Sequence, residues 1–181
     1  MKKQVLKTTL AALCVASLAG NAHAQERRGF FSQLGVDTES YMPFSGRTRD
    51  RFGSRFSGVG IGFGSITPDV KRAISPDVTI LSESKNGDSA LLVLGGLQYR
   101  KPFSSDTKGL RFVPYYGAGA NLIYGRLRVD GERDSNFGAG ASLFLGTTFT
   151  RHAFVEARVR ALSKVASYDF SGLSLSAGVR F

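Results

Sequence analysis

Ser171-Gly172-Leu173-Ser174-Leu175-Ser176-Ala177-Gly178-Val179-Arg180-Phe181 alternates without a break. Leu173, Leu175, Ala177, Val179 and Phe181 fall on one face, and Gly172, Ser174, Ser176, Gly178 and Arg180 on the other. A period of two is the mark of a β-strand whose faces meet different environments. A run of about ten residues also suits a strand that crosses a bilayer at a tilt.

The same pattern extends back through the chain. Ala153, Val155, Ala157 and Val159 alternate with Phe154, Glu156, Arg158 and Arg160. Ala139, Ala141, Leu143 and Leu145 alternate with Gly138, Gly140, Ser142 and Gly146, and Phe144 breaks the rule. Tyr116, Ala118, Ala120, Leu122 and Tyr124 oppose Tyr115, Gly117, Gly119 and Asn121. Leu91, Val93, Leu97 and Tyr99 oppose Gly96, Gln98 and Arg100, while Val59, Ile61 and Phe63 oppose Gly58, Gly60, Gly62 and Gly64. Val78 to Ser84 reads as a shorter strand. Leu34 to Pro43 is the first, with Asp37 and Glu39 interrupting its apolar character. Turn-rich pieces separate these runs at Phe44 to Arg55, Thr67 to Pro76, Lys85 to Asp88, Pro102 to Gly109, Asp130 to Asn136, Thr150 to His152 and Ser163 to Asp169. Asn86-Gly87 is a strong hairpin signal. No helical period of useful length is present. The count is about eight strands.

The composition of the second face decides the solvent. A half-buried soluble strand turns Lys, Glu, Thr and Gln to water, whereas this face is Gly, Ser and Asn with a few Arg and one Glu. Small residues suit the cramped interior of a narrow closed barrel. The first face suits hydrocarbon, and closure satisfies every strand edge, as a strand protein in lipid requires. Tyr99, Tyr124 and Phe181, near strand ends, suit headgroup girdles. The expected fold is all-β, a single antiparallel up-and-down transmembrane β-barrel of about eight strands. The alternative is a soluble periplasmic or secreted β-barrel or sandwich that binds an apolar ligand.

The N-terminus bears on destination. Lys2, Lys3 and Lys7 precede an apolar stretch from about Thr8 to Ala19, and Ala22-His23-Ala24 has the small-x-small pattern of a cleavage site. Residues 1–24 therefore read as a secretory signal peptide, too short in its apolar centre for a transmembrane helix of about 20 residues. The expected mature domain is 25–181, with residues 25–33 undecided between a strand extension and a tail. Its Lys+Arg count falls by three from 24 against 14 Asp+Glu, leaving a net charge of +7. The single Cys, Cys14, leaves with the signal, so no disulfide framework is available. Despite the basic balance, nucleic acid is not an expected partner of an exported chain.

Pro114-Tyr115-Tyr116-Gly117-Ala118-Gly119-Ala120-Asn121 resembles a strand of the small Gram-negative outer-membrane barrels of the outer membrane protein W and A/X kind. Ser176 to Phe181 resembles their C-terminal signature. The resemblance implies an eight-stranded, porin-like cell-envelope protein. In it Phe181 is the signal read by the barrel-assembly machinery, and the Glu and Arg of Phe154 to Arg160 point inward. The absence of Trp departs from such families.

Chemistry is sparse. His152 is the one mature His, and it falls in a turn, so neither a general base nor a nitrogen ligand set for a metal is available. No enzyme activity and no cofactor are expected. Gln98, Arg100, Glu156, Arg158, Arg160 and Arg180 form the expected lumen polar cluster, read either as a gated ion path or, preferably, as a packed plug that fixes register. Arg47, Arg49, Arg51 and Arg55 cluster around Asp50 in the first loop, on the side expected to be extracellular with Lys85, Arg126, Arg128 and Arg133. Guanidinium forks match phosphate oxygens, so outer-membrane lipids and lipopolysaccharide are the expected partners of a monomer. The expected role is structural or surface-interactive, with minor solute passage.

Overall fold

Eight alternating segments give eight strands, and each pairs antiparallel with its sequence neighbour until the last closes on the first. The computed structural model describes residues 34–63, 73–104, 112–149 and 152–181. The signal peptide, the segment 25–33 and parts of three expected turns (67–72, 105–109 and 150–151) lie outside the described residues. The strands are β1 (Leu34–Pro43), β2 (Phe56–Phe63), β3 (Ala73–Lys85), β4 (Asp88–Pro102), β5 (Phe112–Val129), β6 (Glu132–Phe149), β7 (Ala153–Leu162) and β8 (Gly172–Arg180). One helix, α1 (Gly46–Phe52), lies between β1 and β2. The fold is a closed, all-antiparallel, up-and-down β-barrel, as the alternation predicted.

Register fixes which side chains face in. Leu173, Leu175, Ala177 and Val179 turn outward, while Ser174 and Arg180 are buried inside. In β1 the interrupting residues Asp37 and Glu39 are inward, on the same face as Tyr41, and Val36, Thr38, Ser40 and Met42 are outward. The glycines of the inward face have a packing reason. Gly117 pairs with Arg100 on one side and Phe144 on the other, Gly119 with Gln98, Gly146 with Tyr115, and Gly140 with Asn121. A Cβ at Gly117 would collide with the Phe144 ring and the Tyr99 carbonyl, and one at Gly146 with the Tyr115 ring. Glycine on one strand makes room for a large side chain on the next, which is how a narrow lumen is filled.

Several boundaries move. Phe44 to Arg55, expected to be turn, contains α1. Ser45 caps it by accepting from the Thr48 N–H (3.3 Å), and the Gly53 N–H closes it onto Arg49 O (3.0 Å). Seven residues with only Thr48 and Phe52 buried are too few to give a periodic signal. Asp130 to Asn136 is also mostly strand: the turn is Asp130-Gly131 alone, both with positive φ (52° and 87°), the backbone of a two-residue hairpin. Asn86-Gly87 has the same form (53° and 91°). Ser75 and Pro76 belong to β3 rather than to the preceding turn.

One mouth carries both ends of the strand set, Leu34 and Phe181, joined by the Phe181 N–H donating to Leu34 O (3.0 Å). We call it the terminus end. The other, the loop end, carries α1, the two short hairpins and residues 163–171.

Candidate functional site

The lumen divides into two chemically different halves. Toward the terminus end lie the six residues expected there: Gln98, Arg100, Glu156, Arg158, Arg160 and Arg180 are all buried, inward and near one another. Three further carboxylates join them, Asp37, Glu39 and Asp77, so four acids face four guanidinium groups.

Glu156 is the hub. Arg158 Nε and Nη2 both donate to its Oε1 (3.0 and 2.5 Å), Tyr115 Oη donates to Oε2 (3.1 Å), and Arg100 Nε lies 3.5 Å from Oε2. Arg158 also donates from Nη1 to Asp77 (2.9 Å). Gln98 donates to Asp77 and to Asn121 (3.0 Å each), and Asn121 donates to Ser142 (3.2 Å). Arg160 reaches past β8 to β1, where its fork grips Glu39, one arm at 3.0 Å, and Nη1 also donates to Ser174 (2.9 Å). Phe144, the exception in its strand, is inward because it stacks between Arg100 and Arg158 (5.0 and 4.9 Å from guanidinium carbon to ring centroid). Arg180 lies over the Phe154 ring at 4.0 Å instead of meeting a carboxylate. Buried ion pairs in such a network are stable only when matched. Arg158 is matched by Glu156 and Asp77 and Arg160 by Glu39, while Asp37 Oδ1, Arg100 Nε, Arg160 Nε and Arg180 Nη1 make no hydrogen bond among the described residues. The free volume among these groups is about 20 Å³, room for about one water.

Toward the loop end the inward face is not polar. Tyr41, Leu81, Leu92, Leu94, Ile123 and Leu127 fill the lumen, and the chain folds back to cover them. Phe52 of α1 packs against Tyr168 and Phe170 (ring centroids 4.9 and 5.9 Å apart). Val165 and Tyr168 exchange two backbone hydrogen bonds of 2.9 Å, forming a small hairpin that presses Val165 onto Gly125. Thr48 ties α1 to this hairpin by donating to Asp169 O (2.7 Å). An inward face of Gly, Ser and Arg throughout was the expectation. Leu92 and Leu94 share the inward parity of Gln98 and Arg100, but β4 is leucine-rich on both faces there, so composition does not mark the apolar plug.

The first-loop arginines separate. Arg51 is held by Asp88 (2.7 Å) and Asp130, and its hydrogen bond to Asp130 raises its pKa above the ordinary value. Arg47 lies over the Tyr168 ring (5.1 Å). Arg49 and Arg55 instead line an open concavity of about 1130 Å³ at the loop-end rim, together with Lys85, Arg126, Arg128, Arg133 and the acids Asp50 and Glu83. His152 is exposed at its turn, and its Nδ1–H donates to Arg180 O (3.0 Å).

The outward wall is bracketed by rings. Phe112 of β5 meets Phe149 of β6 at 5.2 Å, and Tyr124 meets Phe137 at 4.9 Å. Between them the outward residues are Pro114, Tyr116, Ala118, Ala120 and Leu122 on β5, and Ala139, Ala141, Leu143, Leu145 and Thr147 on β6. Of the three expected girdle residues, Tyr124 belongs to this pattern, Tyr99 is outward on β4, and Phe181 is half-buried. Phe137 and Phe149 were missed because both adjoin pieces read as turns.

No protein-family model and no curated protein sequence matches the chain. Solved structures are similar to it, among them the following two. Neisserial surface protein A (NspA) superposes with a TM-score of 0.61 at 18% identity, covering 82% of this chain and 96% of that one. The N-terminal β-barrel domain of Pseudomonas aeruginosa OprF does so at 0.52 and 15% identity, covering 83% and 98%. Both are eight-stranded outer-membrane β-barrels, and at these identities the likeness is one of fold.

Proposed function

We propose that the chain is a non-enzymatic outer-membrane β-barrel with a closed lumen, exported by its N-terminal leader, inserted with its terminus end toward the periplasm, and acting as a structural or surface-interaction element. The observation that carries this is the ring-bracketed outer wall. Tyr124 lies twelve residues beyond Phe112, and Phe149 twelve beyond Phe137, with no charge on the outward face between them. At ~3.3 Å per residue and a tilt near 40°, that run rises about 30 Å, the thickness of a hydrocarbon core. Leu143, at its midpoint, is 68% exposed, which suits acyl chains and not water.

The filled lumen supports a structural role over solute passage. A solute would have to break a neutral ion-pair network and then an apolar plug. The soluble alternative would need its inward greasy residues to line an open ligand cavity, whereas here they are packed beneath α1 and residues 163–171 and a second set, including Leu122, Leu143 and Leu145, faces out. In this reading Phe181 closes the barrel beside Leu34 and serves as the assembly signal.

Fractionating cells and comparing gel mobility with and without heating tests the proposal. The expected result is a detergent-requiring envelope protein whose folded form migrates apart from the heated one, without bilayer conductance for wild type or Glu156→Gln. Recovery in the soluble fraction without detergent would overturn it. Steady single-channel conductance would overturn the closed lumen.

A further inference from the structure

Of the four inward arginines all but Arg180, which lies over the Phe154 ring, meet a carboxylate, and a set of outward cations does not. Arg51, Arg100, Arg158 and Arg160 each meet a carboxylate, while Arg49, Arg55, Arg126, Arg128 and Arg133 have no ion-pair partner among the described residues. These five line one concavity of about 1130 Å³ at the loop end.

Its far wall is the β5–β6 hairpin, where Arg128 and Arg133 are direct cross-strand partners. Like charges set opposite each other on one face destabilise a sheet. The neighbouring acids give no relief: Glu132 and Asp134 pair with Val129 and Leu127, on the opposite face. Arg126 stands two residues away on the Arg128 face. A cationic triad held this way in the free protein is stabilised by an anion shared among its forks, and phosphate oxygens fit that geometry.

Position selects the source of the phosphate. Arg126 and Arg128 follow Tyr124 along β5, about 5 and 10 Å further up the barrel axis than the ring pair that ends the apolar wall. That is headgroup height. Leu91, the register partner of Arg126, gives the concavity an apolar border, and Ser82, Ser84 and Ser89 supply hydroxyls along it. The basin has a guanidinium triad on one wall, two more arginines on the other and hydroxyls between. The carboxylates of Asp50 and Glu83 also line it, and with Lys85 its six cationic side chains outnumber those two acids, so it keeps a net positive charge and is larger than one phosphodiester needs. It fits a sugar headgroup carrying more than one phosphate.

We propose that this concavity binds a phosphorylated glycolipid of the outer leaflet, of the lipopolysaccharide class, with Arg126, Arg128 and Arg133 holding one phosphate and Arg49 and Arg55 facing a second. The proposal rests on the membrane reading above.

The test uses the full barrel folded into vesicles containing diphosphorylated lipid A, dephosphorylated lipid A or phosphatidylglycerol. Wild type is compared with Arg128→Ser/Arg133→Ser and with a charge-matched Lys101→Ser/Lys164→Ser control. The expected result is that wild type prefers the diphosphorylated form over both others by about tenfold or more. The arginine double variant should lose most of that preference and the control keep it. In lipid-free detergent the arginine variant should be at least as stable as wild type, because it relieves the repulsion. Insertion without preference for the phosphorylated glycolipid, or equal affinity for phosphatidylglycerol, overturns the site and leaves the membrane reading standing. Failure to enter any vesicle overturns both.

Discussion

The Arg160–Glu39 pair allows a quantitative test of the lumen. Arg160 is 1% exposed and Glu39 6%, and their contact joins β7 to β1 across the intervening strand. Arg160→Met leaves a carboxylate buried with no cation in contact, and breaking a buried pair from one side costs about 3–5 kcal/mol. Glu39→Leu strands the guanidinium, which keeps only Ser174 and the Tyr41 ring (5.7 Å), and costs a similar amount. Additive behaviour would put the double variant about 6–10 kcal/mol below wild type. The double variant instead removes one charge of each sign and keeps the lumen neutral, so it is expected within about 2 kcal/mol of wild type. The assay is urea unfolding in vesicles, followed by far-UV circular dichroism and by unheated gel mobility because the chain has no Trp. Arg160→Met lying within about 1 kcal/mol of wild type, or a double variant as unstable as the two losses added, would refute the account of a matched network.

Three other outcomes follow from the same geometry. Leu143→Arg, at the middle of the ring-bracketed wall, should cost about 2–4 kcal/mol in vesicles, whereas Ser135→Arg, beyond the Tyr124–Phe137 pair, should cost no more than about 1 kcal/mol. Equal costs at the two positions would deny the wall its lipid. Gly117→Ala should lower the urea midpoint by the equivalent of about 1–3 kcal/mol, because one of the atoms it meets is a backbone carbonyl that cannot swing away. An unchanged midpoint would show that Phe144 is not packed over that glycine. Ser167→Gly should stabilise the barrel by about 1 kcal/mol, since Ala166 and Ser167 both hold positive φ (46° and 69°) in the hairpin that caps the lumen. A loss of stability in that variant would mean that the turn is not strained.

How far this fold can be read from its sequence depends on whether a residue's role follows from its parity or from its register partner. Parity alone finds the strands: Leu173 to Phe181 and Ala153 to Arg160 face as their alternation says, and so do Gln98 and Arg100. The weak first strand was weak for a reason that parity contains, since Asp37 and Glu39 fall on the inward positions of an otherwise uncharged segment. Their acidity interrupts an apolar run only if both faces are taken to be apolar. Phe144 and the inward leucines need more. Phe144 is an exception until Gly117 is known to lie beside it and Arg100 and Arg158 to flank it, and those neighbours come from strands whose offsets no local pattern specifies. Leu92 and Leu94 look like their outward neighbours Leu91 and Val93. They are told apart by what closes over them, α1 and the 163–171 hairpin, neither of which has a period. The outer concavity falls between these cases. Its arginines are visible in the sequence as a basic excess, but the pairing of Arg128 with Arg133, and the capture of Arg51 by Asp88 and Asp130, exist only once the register is set. A charge cluster that looks uniform in sequence, Arg47 to Arg55, is thereby sorted by the fold into residues already satisfied and residues still open to a ligand.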